Sequence, residues 1–303
     1  MAKVYDMLIL GGGPGGYTAA LYAARAGLSV KVLEKLSAGG QMALTTQIDN
    51  YPGFPEGIDG FELGERMQQQ AERFGAETEY AEVTAVELNQ DPKVIHTSEG
   101  DFWGKTVVIA TGANPRKLGI EKEDALVGRG VAYCAACDGM AFRGKRVAVV
   151  GGGDSAVADA LLLSRVAKEV TLIHRRDTLR ATKIYHESLK NAENINLLMN
   201  SQVKALLADK RLTGILVQTP EGERELPVEG IFISVGRKPN TALFEGQLTL
   251  ENGYIKAGED TKTNIPGVYA VGDVRTKQLR QVVTAVADGA AAVHFAEEYL
   301  AGR

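Results

Sequence analysis

Short apolar runs that end at glycines recur along the chain and predict its strands. Residues 4–10 form such a run before a glycine loop, residues 17–26 follow with the small side chains of a helix, and residues 29–34 form a second apolar run. A strand, a glycine loop, a helix and a second strand in this order predict a β-α-β unit.

The same order of elements returns in the middle of the chain. Residues 146–150 predict a strand before another glycine loop, residues 155–166 predict a helix, and residues 169–174 predict the next strand. The pattern therefore predicts a second β-α-β unit, and both units are of the dinucleotide-binding kind.

Further apolar strands mark the places where the chain passes from one domain to another. Residues 106–112 and 230–235 are strands that close on glycine, and glycine and proline in these segments break periodic structure. Residues 267–273 form another strand that ends in Gly-Asp, and residues 281–300 predict a long helix. The first two strands are therefore the predicted exits between domains.

The length of the chain agrees with two domains. A chain of 303 residues is long for one core, since domains have roughly 150 residues. If the chain leaves the first domain near residue 113 and returns near residue 240, the second domain is inserted within the first. We therefore predict an α/β fold of two Rossmann-like domains, with residues 114–240 inserted between residues 1–113 and residues 241–303.

Composition and charge exclude several classes of protein. Apolar residues make up 45% of the chain and charged residues 24%, which is ordinary for a globular, water-soluble protein. The net charge of -4 and the scattered basic residues give no surface for nucleic acid or an anionic membrane. No apolar run near the N-terminus reaches the ~18 residues of a membrane span, and no signal peptide is evident. We therefore expect a cytoplasmic protein.

Gly11, Gly13 and Gly16 have the G-x-G-x-x-G spacing of a dinucleotide-binding loop. Glycine there permits a tight turn, lets the backbone approach a pyrophosphate, and lets the helix pack closely with its N-terminus toward the anion. Glu34 ends the next strand, where a carboxylate would accept hydrogen bonds from a ribose. A glycine pattern alone also fits an ordinary loop, but the strand, the helix and the acid together indicate a nucleotide site.

Gly151, Gly153 and Ala156 give the second form of this fingerprint, G-x-G-x-x-A. The strand that follows ends in His174-Arg175-Arg176, and Arg180 stands one helical turn further on. Guanidinium groups at this place favour a 2′-phosphate over a free 2′-hydroxyl, because their planar donors match phosphate oxygens. The alternative is a solvated helix start, but the position after the fingerprint favours NADPH over NADH.

Cys134 and Cys137 are the only cysteines, and their spacing predicts a redox pair. Two cysteines are too few for a secreted disulfide scaffold, and paired thiols in a reducing compartment are chemical rather than structural. Asp138 adjoins the second thiol and is the candidate proton donor and acceptor, because no histidine lies in this segment. The alternatives are inert buried cysteines, a simple turn-forming acid, and a zinc site, which would need two further ligands.

The order of these parts resembles the low-molecular-weight, bacterial-type thioredoxin reductases, which are class II pyridine nucleotide-disulfide oxidoreductases. The resemblance runs over about residues 5–300. It includes the following further segments: Gly39-Gly40-Gln41, Asn50-Tyr51-Pro52-Gly53, Ala110-Thr111-Gly112, and residues 134–139, 174–181, 266–273 and 280–281. So many motifs in one order make coincidence implausible.

This resemblance implies an FAD domain, formed by the two outer segments, and an inserted NADPH domain that carries the disulfide. It implies these contacts with FAD: Gly11, Gly13, Pro14, Gly15, Gly16, Glu34, Gln41, Asp273, Arg280, Gln281 and Val282. Further candidate cofactor-binding residues in the same motifs are Gly40, Asn50, Ala110, Thr111, Gly112 and Gly272. For NADPH it implies Gly153, Asp154, Ser155, Ala156, His174, Arg175, Arg176 and Arg180.

The implied activity is thioredoxin-disulfide reduction, in which electrons pass from NADPH through FAD and the Cys134–Cys137 disulfide to a thioredoxin-like protein. Members of the family are homodimers whose inserted domain swivels. Three departures qualify the match: Ala158-Asp159 stands where many relatives have paired acids, Met140-Ala141 where aromatic pairs are frequent, and Arg237 where some have a histidine. The Met140 departure bears on partner recognition.

Several competing functions remain to be compared with this one. The protein could reduce another redoxin or a peroxidase, or it could be a ferredoxin-driven relative or a dithiol oxidase, but the last two typically lose the arginine cluster. A ferredoxin reductase of this architecture would lack the cysteines. A non-catalytic redox sensor is a different class, and it would not need a second, phosphate-selective nucleotide site.

Overall fold

The computed structural model describes residues 3–45 and 47–302, and the chain divides into two compact units. Unit 1 comprises Met1–Gln47, Tyr51–Asn114 and Lys238–Arg303, and unit 2 comprises Ile48–Asn50 and Pro115–Arg237. Nearly all of unit 2 is thus inserted in the sequence of unit 1. The sequence placed the changes of domain at residues 113/114 and 240/241.

Both units of the described chain contain helices and strands. The helices are α1 (Pro14–Arg25), α2 (Gly60–Glu72), α3 (Ala135–Asp138), α4 (Asp154–Ser164), α5 (Ile184–Asn191) and α6 (Val282–Ala301). The strands are β1 (Val4–Leu10), β2 (Val30–Glu34), β3 (Glu77–Tyr80), β4 (Val83–Glu87), β5 (Lys93–Thr97), β6 (Gly100–Ile109), β7 (Ala113–Pro115), β8 (Val131–Ala132), β9 (Arg146–Val150), β10 (Glu169–Ile173), β11 (Ile195–Leu198), β12 (Gln202–Ala208), β13 (Leu212–Thr219), β14 (Gly222–Leu226), β15 (Gly230–Ile233), β16 (Arg237–Pro239), β17 (Leu250–Glu251), β18 (Tyr254–Ile255) and β19 (Val268–Ala270).

Strand β1 lies in the middle of the main sheet of unit 1. Strands β3, β2, β1 and β6 pair in parallel in this order, β19 adds to β6 in parallel, and β5 and β4 continue the sheet as antiparallel strands. Met7 and Ile9 of β1 belong to one apolar cluster, and Leu8 and Leu10 belong to another. Because side chains alternate along a strand, the sheet is buried on both faces, as is typical of parallel sheets.

Unit 2 repeats this architecture. Its sheet has the order β11-β10-β9-β15-β8 with every pair parallel, and β12, β13 and β14 form a separate antiparallel sheet. Val147 and Val149 of β9 pack in one cluster, and Ala148 and Val150 pack in another. In doubly wound sheets of this kind, dinucleotides bind beyond the carboxyl ends of the strands. The predicted fold class, α/β with two Rossmann-like domains, is confirmed.

Helix α6 packs against α1 in unit 1, and glycine makes the close approach possible. A Cβ on Gly289 would lie 2.9 Å from the backbone nitrogen of Ala19 and 2.9 Å from the Cβ of Thr18. Each side of this contact is lined by small residues, so the two helices come together backbone to backbone. None of the helices in the described residues is long and apolar enough to cross a membrane.

The predicted elements differ from the observed ones mainly at their ends. Strands β1 and β9 have the predicted bounds, whereas α1 begins at Pro14 and α4 begins at Asp154, earlier than predicted. Proline is favoured in the first turn of a helix, which explains the start of α1. Strands β6 and β15 end before the glycines that follow them, where Gly112 and Gly236 take left-handed φ values of +68° and +104°.

Candidate functional site

The first glycine loop joins β1 to α1. Gly11 has a φ of +106°, which favours glycine, and a Cβ there would lie 2.6 Å from the carbonyl oxygen of Ala110. A Cβ on Gly16 would overlap the carbonyl oxygen of Gly11, so only glycine lets the helix start this close to the strand. A Cβ on Gly13 would meet no atom within 4 Å. The loop is therefore open at the place where a pyrophosphate would approach the backbone.

Two more predicted residues border this loop. A Cβ on Gly40 would lie 3.5 Å from the Cα of Gly13, so the two glycines lie side by side. Gln41 donates from its side-chain amide to Oδ1 of Asn114 at 2.9 Å. Gly15 faces α6 rather than the open side of the loop, because a Cβ on it would lie 3.1 Å from the carbonyl oxygen of Ala285.

Glu34 is held at the end of β2 by backbone groups. Its Oε2 accepts the N–H of Gly12 at 2.6 Å, and its Oε1 accepts the N–H of Leu36 at 3.0 Å. The first contact ties the carboxylate to the glycine loop. A carboxylate fixed there is in the position from which a dinucleotide-binding fold binds a ribose hydroxyl.

Thr111 and Gly112, which follow β6, are bound to Asn240. The Thr111 hydroxyl donates to the Asn240 carbonyl at 2.8 Å, and the Asn240 side-chain amide donates to the Thr111 carbonyl at 2.8 Å. The Asn240 N–H donates to the Gly112 carbonyl at 3.0 Å. Asn240 is therefore a structural partner of two predicted site residues, which the sequence pattern did not indicate.

Gly272 and Asp273 lie in a turn after β19 that is anchored to α6. The N–H of Gly272 donates to Oδ2 of Asp288 at 2.8 Å, and Arg275 and Lys277 each donate to the same carboxylate at 2.7 Å. Burial would raise the pKa of Asp288, but the hydrogen bonds from the two cations outweigh burial and hold the pKa below its ordinary value. This cluster was not predicted from the sequence, where its one signal is an acid in the apolar run of residues 285–293.

Arg280, Gln281 and Val282 form the start of α6. The guanidinium carbon of Arg280 lies 4.4 Å from the centre of the Tyr254 ring, and its Nε is buried without a hydrogen-bond partner in the described part of the chain. Gln281 caps the helix, because its side chain and that of Thr284 each bind the other's backbone. The cap fixes the first turn of α6. The buried Nε of Arg280 remains available to bind a ligand.

The second glycine loop, in unit 2, has the same design. Gly151 has a φ of +156°, and a Cβ there would lie 2.6 Å from the Cβ of Ala156. A Cβ on Gly153 would meet no atom within 4 Å, so this loop is also open. Asp154 and Ser155 begin α4 and are exposed beside the opening.

The segment after β10 is fastened to this loop. The Gly152 carbonyl accepts the N–H of Arg180 at 2.6 Å, and Oδ1 of Asp154 accepts the N–H of Thr182 at 2.7 Å. His174 is buried against Gly152 with its Nε2 lacking a partner among the described residues. Burial lowers the pKa of the His174 imidazole, and the positive charges of the neighbouring arginines lower it further.

The guanidinium groups of Arg175, Arg176 and Arg180 are exposed beside the second glycine loop. Within residues 3–45 and 47–302, none of the three has an acidic partner at ion-pair distance. Three unpaired cations next to an open dinucleotide loop favour a ligand with an additional phosphate.

Cys134 and Cys137 are joined by a disulfide at the start of α3, with their Cα atoms 5.3 Å apart. Both are half-buried, and Cys134 Sγ accepts the N–H of Cys137 at 3.2 Å. The backbone N–H of Asp138 donates to the Cys134 carbonyl at 3.0 Å. Burial raises the pKa of the Asp138 carboxyl to about 6, which suits an acid-base group that works near neutral pH.

Asn50, a predicted cofactor-binding residue, lies in unit 2 and not in unit 1 with the residues predicted to contact FAD. Its side-chain amide donates to the carbonyl of Ala136 in α3 at 3.3 Å. The structure thus places Asn50 beside the redox helix, and its predicted role as a cofactor-binding residue stays a prediction.

The departures from the family pattern have defined surroundings. Asp159 on α4 accepts a hydrogen bond from the Ser234 hydroxyl. Burial raises the pKa of Asp159, and that hydrogen bond and the charge of Arg237 oppose the rise. Ala158 is half-buried, and Met140 is 50% exposed just after the redox helix. In the part of the chain that the structure describes, no group of three or more His, Cys, Asp or Glu residues could hold a metal ion.

Comparison with known proteins gives one consistent result. The sequence profile of the family described as pyridine nucleotide-disulphide oxidoreductase matches residues 5–289. The thioredoxin reductase of Streptomyces clavuligerus is 47% identical over 99% of this chain and 95% of that protein. The thioredoxin reductase of Listeria monocytogenes is 44% identical over 98% of this chain and 94% of that protein.

Solved structures give the same result. The thioredoxin reductase of Streptococcus pyogenes matches with a TM-score of 0.93 and 42% identity, and covers 100% of both chains. The thioredoxin reductase of Lactococcus lactis in its FR conformation matches with a TM-score of 0.70 and 42% identity over 99% of this chain and 100% of that one.

Proposed function

The chain belongs to the pyridine nucleotide-disulphide oxidoreductase family and, within it, to the thioredoxin reductases, and from this premise we propose that it reduces the disulfide of a thioredoxin with electrons from NADPH. The observation that carries the proposal is the Cys134–Cys137 disulfide, which follows β8 in the same unit as the arginine-lined glycine loop. FAD is the proposed carrier between the two, and a homodimer in the cytoplasm is the state that the family resemblance favours.

Unit 1 would hold FAD. The open backbone at Gly13, the adjacent Gly40 and the fixed carboxylate of Glu34 fit a pyrophosphate and a ribose, and the buried, unpartnered Nε of Arg280 fits a polar group of a ligand at the start of α6. When bound, FAD supplies hydride and electron transfer between a nicotinamide and a disulfide. The glycine loop would bind the anion, and the cap on α6 would keep the helix start in place.

Unit 2 would hold NADPH. The loop around Gly153 is open for the pyrophosphate, and the hydrogen bond from Arg180 to Gly152 keeps the arginine segment next to it. Arg175 and Arg176 would bind the 2′-phosphate, because a guanidinium binds phosphate oxygens with two parallel donors. The imidazole of His174 packs against Gly152 of this loop, and its burial lowers its pKa.

The thiol chemistry is carried by this chain's own residues. Two electrons and two protons open the Cys134–Cys137 disulfide to a dithiol. One thiolate then attacks the partner disulfide to form a mixed disulfide. The other thiolate of this chain attacks that mixed disulfide, which releases the partner as a dithiol and re-forms the Cys134–Cys137 disulfide. Asp138, with its pKa of about 6, would deliver and accept the proton of the adjacent thiol.

The proposal is tested by mixing the purified, FAD-loaded protein with NADPH and a panel of oxidised thioredoxins and other redoxins. We expect NADPH oxidation that depends on a thioredoxin, with one NADPH consumed for each disulfide reduced, and little oxidation with NADH. If NADPH bleaches the flavin but no redoxin accelerates NADPH oxidation, the protein is not a thioredoxin reductase. That result would favour the redox sensor instead.

A further inference from the structure

A buried carboxylate in unit 1 collects four hydrogen bonds. Oδ2 of Asp288 accepts from the N–H of Gly272 at 2.8 Å, from Nε of Arg275 at 2.9 Å and from Nζ of Lys277 at 2.7 Å. Oδ1 accepts from Nη2 of Arg275 at 2.7 Å. The side chains of Arg275, Lys277 and Asp288 are 3%, 8% and 7% exposed, so all three charges are removed from water.

These contacts fasten one segment of the chain at its beginning, middle and end. Gly272 is where the segment begins, Arg275 and Lys277 lie within it, and Lys277 also donates to the carbonyl of Thr284 in the first turn of α6 at 3.2 Å. The residues proposed to contact FAD lie at the two ends of this same segment. Asp288 therefore anchors the beginning of the segment directly and its far end through Lys277.

Apolar packing holds the start of the segment, where Val274 is fully buried, but it is weak over residues 278–283, none of which is fully buried. Leu279 is 59% exposed and Val283 is 44% exposed, so these side chains contribute little burial. A buried ion cluster is also a poor device for stability alone, because apolar residues of the same volume often serve as well. Its geometry, by contrast, specifies a single backbone path.

We propose that Asp288 is a positioning residue for the flavin, which holds the segment from Gly272 to Thr284 in the shape that binds FAD. The inference rests on the proposed function, because FAD is the cofactor proposed there for unit 1. Loss of the carboxylate charge weakens the bonds from both cations and frees the segment, so FAD must then order it on binding and binds more weakly.

The test compares Asp288→Asn with a matched control, Asp6→Asn, in apoprotein and FAD-loaded protein. Asp6 is also a carboxylate of unit 1 bound by a backbone N–H and a cation, Ser29 at 2.9 Å and Lys105 at 2.8 Å, but it lies within β1, before the residues that lead into the glycine loop. Flavin fluorescence gives the dissociation constant of FAD, and melting curves of both forms give the stabilisation by FAD. Hydrogen exchange reports the order of the segment.

We expect Asp288→Asn to weaken FAD binding about tenfold or more, to reduce the stabilisation by FAD and to speed exchange in the segment of the apoprotein. The control should lower the melting temperatures of both forms equally and leave the dissociation constant unchanged. If Asp288→Asn lowered the melting temperatures of both forms equally and left FAD binding unchanged, the inference would be overturned. Asp288 would then have a purely structural role.

A second variant keeps the test decisive if Asp288→Asn does not fold. Lys277→Met leaves Asp288 paired with Arg275 and Gly272, and we expect it to weaken FAD binding several-fold, whereas Lys277→Arg should restore most of the affinity. Unchanged binding in Lys277→Met would also overturn the inference. Wild-type protein that binds no FAD at all would instead refute the proposed function.

Discussion

The carbonyl oxygen of Gly152 accepts the backbone N–H of Arg180 at 2.6 Å. This hydrogen bond joins the second glycine loop to the segment that carries the arginine cluster. The backbone of the cluster is thus fixed relative to the loop, while the guanidinium groups stay exposed and without acidic partners in the described residues. A loop that binds the pyrophosphate would therefore keep the backbone of the arginine segment next to the bound nucleotide.

Replacing Arg175 and Arg176 together by alanine should raise the KM for NADPH at least about tenfold and leave the KM for NADH nearly unchanged. Each charge-assisted contact to the 2′-phosphate contributes ~1.5 to 3 kcal/mol, and NADH has no such phosphate. Steady-state kinetics with both nucleotides measures the effect. The control is the double substitution of Arg165 and Lys168, two exposed cations beyond α4, which removes the same charge. An equal rise of the KM for NADPH and for NADH would show that the cluster does not bind the phosphate.

Gly13→Ala and Gly153→Ala should separate the two nucleotide sites. A Cβ at either position meets no atom within 4 Å, and the φ values of -78° and -95° are open to alanine, so both variants should fold normally. Each methyl group should block the close approach of a pyrophosphate. By calorimetric titration we expect Gly13→Ala to weaken FAD by about tenfold and spare NADPH, and Gly153→Ala to do the reverse. If both variants weakened the same nucleotide, the assignment of the units would be wrong.

The repeated strand, glycine loop and helix could be predicted from the sequence because each signal is local. The strands before the two loops are buried on both faces, so the apolar runs ended where the strands do, at Leu10 and Val150. The helix starts were predicted late, because the place of Pro14 and Asp154 in the first turn follows from helix-end chemistry rather than from periodicity.

The contacts between distant segments could not be predicted. Asn240 binds Thr111 across 129 positions of sequence, and no pattern connects two such residues before the fold is known. The Asp288 cluster forms over a shorter separation, but the shape of the loop decides which cations reach the carboxylate. Helix α2 and strands β4 and β5 were also not predicted, since none of these segments contains an apolar run longer than two residues.

Asp138 should make the stability of the disulfide form depend on pH. Burial raises its pKa to about 6, above the ~3.9 of an unfolded chain. The folded state thus binds the proton more tightly, so this contribution to stability is full below pH ~4 and is lost as the pH rises through about 6.

Asp138→Asn should therefore stabilise the disulfide form relative to wild type at pH ~8, by on the order of 1–3 kcal/mol, and much less at pH ~4. Urea unfolding at the two pH values gives the difference. Asp209→Asn, at an exposed acid of the same unit, is the control. A stability change of the same size at both pH values would contradict the effect of burial.

The same substitution should slow the thiol step. Without the Asp138 carboxyl, the adjacent thiol lacks a buried proton donor and acceptor, and we expect thioredoxin reduction to slow by about 10²-fold while flavin reduction by NADPH keeps its rate. Rapid-mixing experiments separate the two rates. Slowing of flavin reduction by the same factor would point to a general defect of the fold.

The most direct test follows flavin absorbance and thioredoxin reduction by stopped flow in Cys134→Ser and Cys137→Ser. These two residues are the only cysteines of the chain, and they form the disulfide through which the electrons are proposed to pass. Flavin reduction uses neither thiol, so both variants should bleach the flavin with NADPH at the wild-type rate and reduce no thioredoxin. Normal turnover of thioredoxin by either variant would contradict the proposed route.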